Sequence, residues 1–115
     1  MMTPVEIRAP RGARLLEVVW EDGTSSLISH QVLRGYCPCA VCQGHSGSIR
    51  WVEGTETLPD GTFELVELRP SGQYALQMTW GDGHSTGIYT FSFLNELGGL
   101  FDLSAEESRE KTFGR

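Results

Sequence analysis

Cationic residues are scarce in this chain. Nine lysines and arginines stand against fifteen aspartates and glutamates in 115 residues, a formal net charge of −6. Non-specific nucleic-acid binding runs on a surplus of Lys and Arg that releases counterions, and a polybasic membrane anchor needs the same surplus. Neither class of partner is expected. No apolar run approaches the roughly 20 residues of a membrane-spanning helix. The stretch MMTPVEIRAPRGAR at the N-terminus has no apolar core of the kind a signal peptide carries, so a cytoplasmic location is expected. Cysteine is also sparse, and its number is odd. All three, Cys37, Cys39 and Cys42, fall within six residues. A disulfide framework uses even counts spread along the chain to staple distant segments, which this cluster cannot do.

What is present describes one domain. A chain of this length buries about two-thirds of its unfolded surface and needs no disulfide to hold a core. The hydrophobic fraction of 39% is too high for a disordered chain. Fourteen glycines, about 12% against a usual ~7%, predict tight turns and short strands rather than long helices.

Val5 and Ile7 mark a short first strand between Pro4 and Pro10. Leu15 to Trp20 is rich in β-branched and aromatic residues and reads as a second. Glu21-Asp22-Gly23-Thr24 is a hairpin turn, and Ser25 to Ser29 returns from it. Ser29 is placed to cap a short helix over His30 to Tyr36. The cysteine loop follows, then a loop from Gly44 to Gly47 and a short extended piece from Ile49 to Glu53. Leu58 to Gly61 turns, Phe63 to Leu68 forms a strand, and Pro70-Ser71-Gly72 turns again. In Tyr74 to Trp80 the side chains of Tyr74, Leu76, Met78 and Trp80 share one face. Ser104 and Glu107 fit a capping box, although a terminus this polar is equally open to fraying.

The segment Leu16 to Ser25 (LEVVWEDGTS) is echoed by Leu76 to Ser85 (LQMTWGDGHS) sixty positions later, with Ile28 matched to Ile88. The expected fold is therefore α+β: a small two-layer domain of short antiparallel strands and hairpins with two or three short helices, built as two pseudo-repeated halves. The domain is expected to occupy residues 1–103, with 104–115 as a polar C-terminal tail.

The cysteines carry the strongest chemical signal. Cys37-Pro38-Cys39-Ala40-Val41-Cys42 offers three thiolates to one metal ion, and a tetrahedral zinc site takes about four ligands. Two histidines compete for the fourth place. His45, three residues after Cys42, would complete a local site. His84, in the second hairpin turn, would bring a ligand from the other half. His30 lies on the expected helix and is read as a solvent-facing or partly buried side chain. The pair His45-Ser46 is read as loop rather than as a hydrolase element.

Three pieces of this sequence in order resemble the gamma-butyrobetaine hydroxylase-like N-terminal domain family. They are Trp20-Glu21-Asp22-Gly23, then Leu33-Arg34-Gly35-Tyr36-Cys37-Pro38-Cys39-Ala40-Val41-Cys42, then Trp80-Gly81-Asp82-Gly83-His84-Ser85-Thr86-Gly87-Ile88-Tyr89. The resemblance covers nearly the whole chain and implies a small standalone member. It implies that Cys37, Cys39, Cys42 and His84 hold a structural zinc, and it leaves His45 as a loop residue. The iron-binding catalytic domain of the hydroxylase has no counterpart here, so no enzymatic activity is expected. Two functions follow from the resemblance. One is a non-catalytic, zinc-stabilised module that docks a protein partner or forms a homodimer. The other is an accessory role in iron–sulfur cluster assembly or carriage, since similar domains occur fused to ATPases that carry such clusters and thiolates ligate clusters too. Trp51 and the Phe91 to Phe93 segment are candidate docking residues, with core packing as the alternative use of each.

Overall fold

A computed structural model describes residues 3–44 and 47–114 of the chain. Its first half is a three-stranded antiparallel meander, β1 (Pro4–Arg8), β2 (Leu15–Trp20) and β3 (Ser25–Ser29), running into helix α1 (His30–Gly35). The second half repeats that order with β5 (Leu65–Ser71), β6 (Ala75–Trp80), β7 (Gly87–Thr90) and helix α3 (Phe91–Gly98). Between the halves lie the short helix α2 (Ala40–Gln43), strand β4 (Ile49–Arg50) and two single 3₁₀ turns, Thr55–Thr57 and Asp60–Phe63. Helix α4 (Ala105–Arg109) and strand β8 (Thr112–Phe113) complete the chain, and β8 pairs with β4. The fold is a small α+β domain of short antiparallel strands, with four short α-helices among the described residues.

The two halves agree in detail. Each first strand carries an irregularity at its start, between Pro4 and Glu6 and between Leu65 and Glu67. In each hairpin the Trp N–H donates to the carbonyl four residues on, Trp20 to Thr24 at 2.8 Å and Trp80 to His84 at 2.9 Å. Gly23 and Gly83 take φ of 88° and 90°, a left-handed conformation that L side chains resist. Both helices that follow are capped alike: Ser29 accepts from Val32 N–H, and Thr90 from Phe93 N–H. Period-two alternation turns Leu16, Val18 and Trp20, and equally Leu76, Met78 and Trp80, into one shared core with Leu33, Tyr89, Leu94 and Leu97.

The match of Ile28 with Ile88 needs correction. Ile28 stands opposite Leu16, but it is Tyr89 that stands opposite Leu76. The second hairpin holds one more residue between Met78 and its partner Gly87 than the first holds between Val18 and its partner Ser26. A one-residue shift exchanges the faces of a strand. Tyr89 is therefore buried while Ile88 is 48% exposed.

Three smaller expectations shift as well. Tyr74 precedes β6 and is exposed, so it does not share the core face. Strand β5 runs on through Pro70 and Ser71, and the turn is made at Gly72, with φ of 63°. Phe63 ends a 3₁₀ turn rather than starting a strand.

The C-terminal segment packs onto the domain. Ser104 and Glu107 form a reciprocal capping box on α4. The Tyr36 hydroxyl donates to the carbonyls of Ser108 and Lys111. Phe113 meets the rings of Tyr36 and Phe93 edge-on at 5.3 and 5.5 Å. Ser104→Ala removes the cap from a five-residue helix and is expected to cost about 1 kcal/mol in urea unfolding. An unchanged midpoint would mean that α4 is held by its packing alone.

Candidate metal centre

Each cysteine is placed by a different local device. Cys37 follows Tyr36, the C-cap residue of α1, with its N–H bonded to Arg34 O, and its side chain is fully buried. Cys39 is the N-cap residue of α2, and Cys42 lies within that one turn of helix, where a loop was expected. The buried Gln43 side chain then anchors the turn. It donates to the carbonyls of Cys37 and Arg50 at 3.1 and 2.7 Å and accepts from Arg50 N–H at 3.0 Å.

The second half meets this loop through its hairpin. His84 Nε2 lies 3.3 Å from Cys37 Sγ and 3.6 Å from both Cys39 Sγ and Cys42 Sγ. All four ligand atoms fall within 4.8 Å of one another. A nitrogen and a sulfur on the corners of a tetrahedron about one zinc, at about 2.0–2.1 and 2.3 Å from it, stand about 3.6 Å apart. The donor set and its spacing therefore fit a single metal ion.

Close packing brackets the site. A Cβ placed on Gly87 would come within 2.9 Å of Cys37 Sγ and 3.0 Å of the Tyr89 ring, so β7 approaches the loop this closely only with glycine there. The Tyr89 hydroxyl donates to Leu33 O at 2.5 Å and ties β7 to α1.

Electrostatics distinguish the ligands. Burial pushes the Cys37 thiol far up and the Cys42 thiol up as well. Burial also acts to raise Cys39, but hydrogen bonds, with the Thr86 side chain foremost, outweigh it and bring that thiol below its ordinary value. Burial and the charge of Arg34 lower His84, so its imidazole is neutral near pH 7 and free to act as a ligand. A metal ion held here would displace the thiol protons of its cysteine ligands.

Several residues around the ligands went unassigned in the sequence reading. Arg34 forms a two-pronged ion pair with Asp82, and Asp82 in turn accepts from His84 N–H at 3.1 Å. Asp82 is held down at about 2, chiefly by the Arg34 hydrogen bond. Thr86 and Gln43 contribute as described above. Arg34 and Asp82 stand within the motifs already noted, but no local pattern signals that they meet. His45 and Ser46 lie outside the described residues.

His30 packs into the core, 95% buried. Its Nδ1 is 2.9 Å from Phe63 O, and its ring meets Trp80 edge-on at 5.7 Å. Trp51 is half-buried against Tyr36, and Phe93 is buried in the core. No helix among the described residues is long and apolar enough to cross a membrane.

Comparison with known proteins agrees with the motifs. The family model described as gamma-butyrobetaine hydroxylase-like, N-terminal, matches residues 7–95. The chain belongs to this family. Among solved structures, the gamma-butyrobetaine hydroxylase-like N-terminal fold seen here is similar to a protein of unknown function of the DUF971 family from Acidithiobacillus ferrooxidans, known from a 1.93 Å crystal structure. The two share 38% identity with a TM-score of 0.63, over 83% of this chain and 91% of that one. A solution NMR structure at 28% identity matches with a TM-score of 0.66, covering 94% of this chain and 82% of its own. Another, at 24% identity, shares the fold with a TM-score of 0.64 over 87% and 71%.

Proposed function

We propose that this domain is a non-catalytic module in which Cys37, Cys39, Cys42 and His84 hold a structural zinc, and that it docks a protein partner or a second copy of itself. The observation that carries this reading is the set of four donors within 4.8 Å, three from the segment that follows the first half and one from the second half. Three thiolates and an imidazole fill a tetrahedron and leave no position for water or substrate, the mark of a structural rather than a catalytic site. Zinc bound there supplies a cross-link between the halves. The ligands surround one point, whereas a two-iron cluster seats its ligands in pairs on two metals; this favours zinc over the iron–sulfur alternative. Val41, held out between Cys39 and Cys42 at 86% exposure, supports docking, because it offers an apolar side chain on the metal loop itself.

The test is elemental analysis with a visible spectrum, on protein purified without oxygen and without a metal-affinity tag. About one zinc per chain and a colourless solution are expected. Iron with sulfide would move the protein to cluster chemistry, and no metal in a folded chain would overturn both readings. His84→Ala is expected to weaken zinc binding by at least about tenfold, in line with the loss of one of four ligands. His45→Ala is expected to leave it unchanged. Equal effects from the two would remove His84 from the site.

A further inference from the structure

The repeat supplies an internal control for the second hairpin. In the first half Asp22 Oδ1 accepts from Thr24 N–H at 3.0 Å and from the Thr24 hydroxyl at 2.6 Å, a turn closed on itself. In the second half Asp82 Oδ1 makes the same backbone bond, to His84 N–H at 3.1 Å. Here, however, the carboxylate also takes both prongs of Arg34, Nη1 to Oδ1 at 2.9 Å and Nη2 to Oδ2 at 2.8 Å. Arg34 comes from α1, three residues before Cys37, and its side chain is only 12% exposed. Asp22 has no such ion pair among the described residues. The difference falls on the half that carries the histidine.

From this geometry we infer that Arg34 and Asp82 are positioning residues for the metal centre: the guanidinium–carboxylate fork fixes the second hairpin on α1, and Asp82 passes that position to His84 through its backbone. The fork has two parallel bonds and a planar geometry, so it sets orientation as well as distance. Isolated ion pairs on open surfaces contribute little. This one is buried on its guanidinium side, with the carboxylate 37% exposed, and lies between the two segments whose spacing decides whether the fourth ligand reaches the sulfurs. The inference rests on the zinc reading above.

The experiment is a double-mutant cycle on zinc affinity, measured in the full chain by competition with a chromophoric chelator. Its corners are wild type, Arg34→Gln, His84→Ala and the double variant. Arg34→Gln is expected to weaken zinc by about 10- to 100-fold, the range for groups that orient a ligand. In the His84→Ala background the same change is expected to cost much less, because the ligand it positions is gone and only the pull of the guanidinium on the Cys42 thiolate remains. A purely structural role for Arg34 would cost the same in both backgrounds and would overturn the inference, as would unchanged affinity in Arg34→Gln. If Arg34→Gln does not fold, Arg34→Lys keeps the charge without the fork, and it is expected to show the same dependence on His84. Wild-type protein that binds no zinc, or His84→Ala that binds as tightly as wild type, would instead strike the zinc reading itself.

Discussion

Removing the metal by chelation is expected to lower the thermal midpoint by on the order of 15–20 °C. A structural zinc contributes its binding energy to folding because the complete site exists only in the folded chain. Part of that energy survives unfolding, since Cys37, Cys39 and Cys42 are close in sequence and retain affinity for the ion. The share lost on unfolding is the fourth ligand and the fixed geometry, about 4–5 kcal/mol, at about 4 °C per kcal/mol for a domain of this size. Cys37→Ser is expected to approach the same midpoint without chelator. It removes a ligand and also places a hydroxyl in a fully buried position against Gly87 and the Tyr89 ring. Calorimetry with and without chelator measures both effects. A midpoint indifferent to chelator in zinc-loaded protein would mean that the core alone sets stability and the ion is a passenger.

Gly81→Ala should destabilise the domain by on the order of 3 kcal/mol, whereas Glu21→Ala, at the matching position of the first half, should stay within about 0.5 kcal/mol. The W-x-D-G motif treats these two positions as free. In the fold they differ completely. Glu21 is exposed to solvent. Gly81 lies under the Asp60–Phe63 turn, and a methyl group there would sit 1.9 Å from the carbonyl oxygen of Gly61. That oxygen belongs to backbone, so relief requires moving a whole segment rather than turning a side chain. The segment is also tied down elsewhere, by Arg14 donating to both the carbonyl and the carboxylate of Asp60. Urea unfolding of the two variants side by side measures the difference. Equal and small effects would show that the turn over Gly81 yields easily.

Local chemistry made the two hairpins, their turns, the Ser29 cap and the cysteine cluster legible. Each is a short-range preference: alternating burial for strands, left-handed glycine after Asp, a hydroxyl before a helix. The duplication was legible too, because it repeats these signals at a nearly fixed interval. What misled was the interval's one-residue change after His84. It left the pattern of residue types similar while exchanging Ile88 and Tyr89 between surface and core. The same extra residue separates the fates of two hydrogen bonds. In the first half Trp20 Nε1 donates to Ser26 Oγ at 2.8 Å. In the second, the side chain of Thr86 is engaged with Cys39, and Trp80 Nε1 has no hydrogen-bond partner among the described residues.

The candidate site divides along the same line. By itself the sequence put three thiols in one loop, where chain connectivity makes their proximity unavoidable. It left His45 and His84 open as the fourth donor, and family resemblance pointed to His84. Only the packing of the two halves brings His84 Nε2 to 3.3–3.6 Å from the sulfurs. That packing also fixes Arg34 on Asp82, seats Gly87 against Cys37 and folds the C-terminal segment under Tyr36. These contacts join residues 42 to 77 positions apart. No local preference encodes them; they follow from burying two amphipathic half-domains against each other in one core.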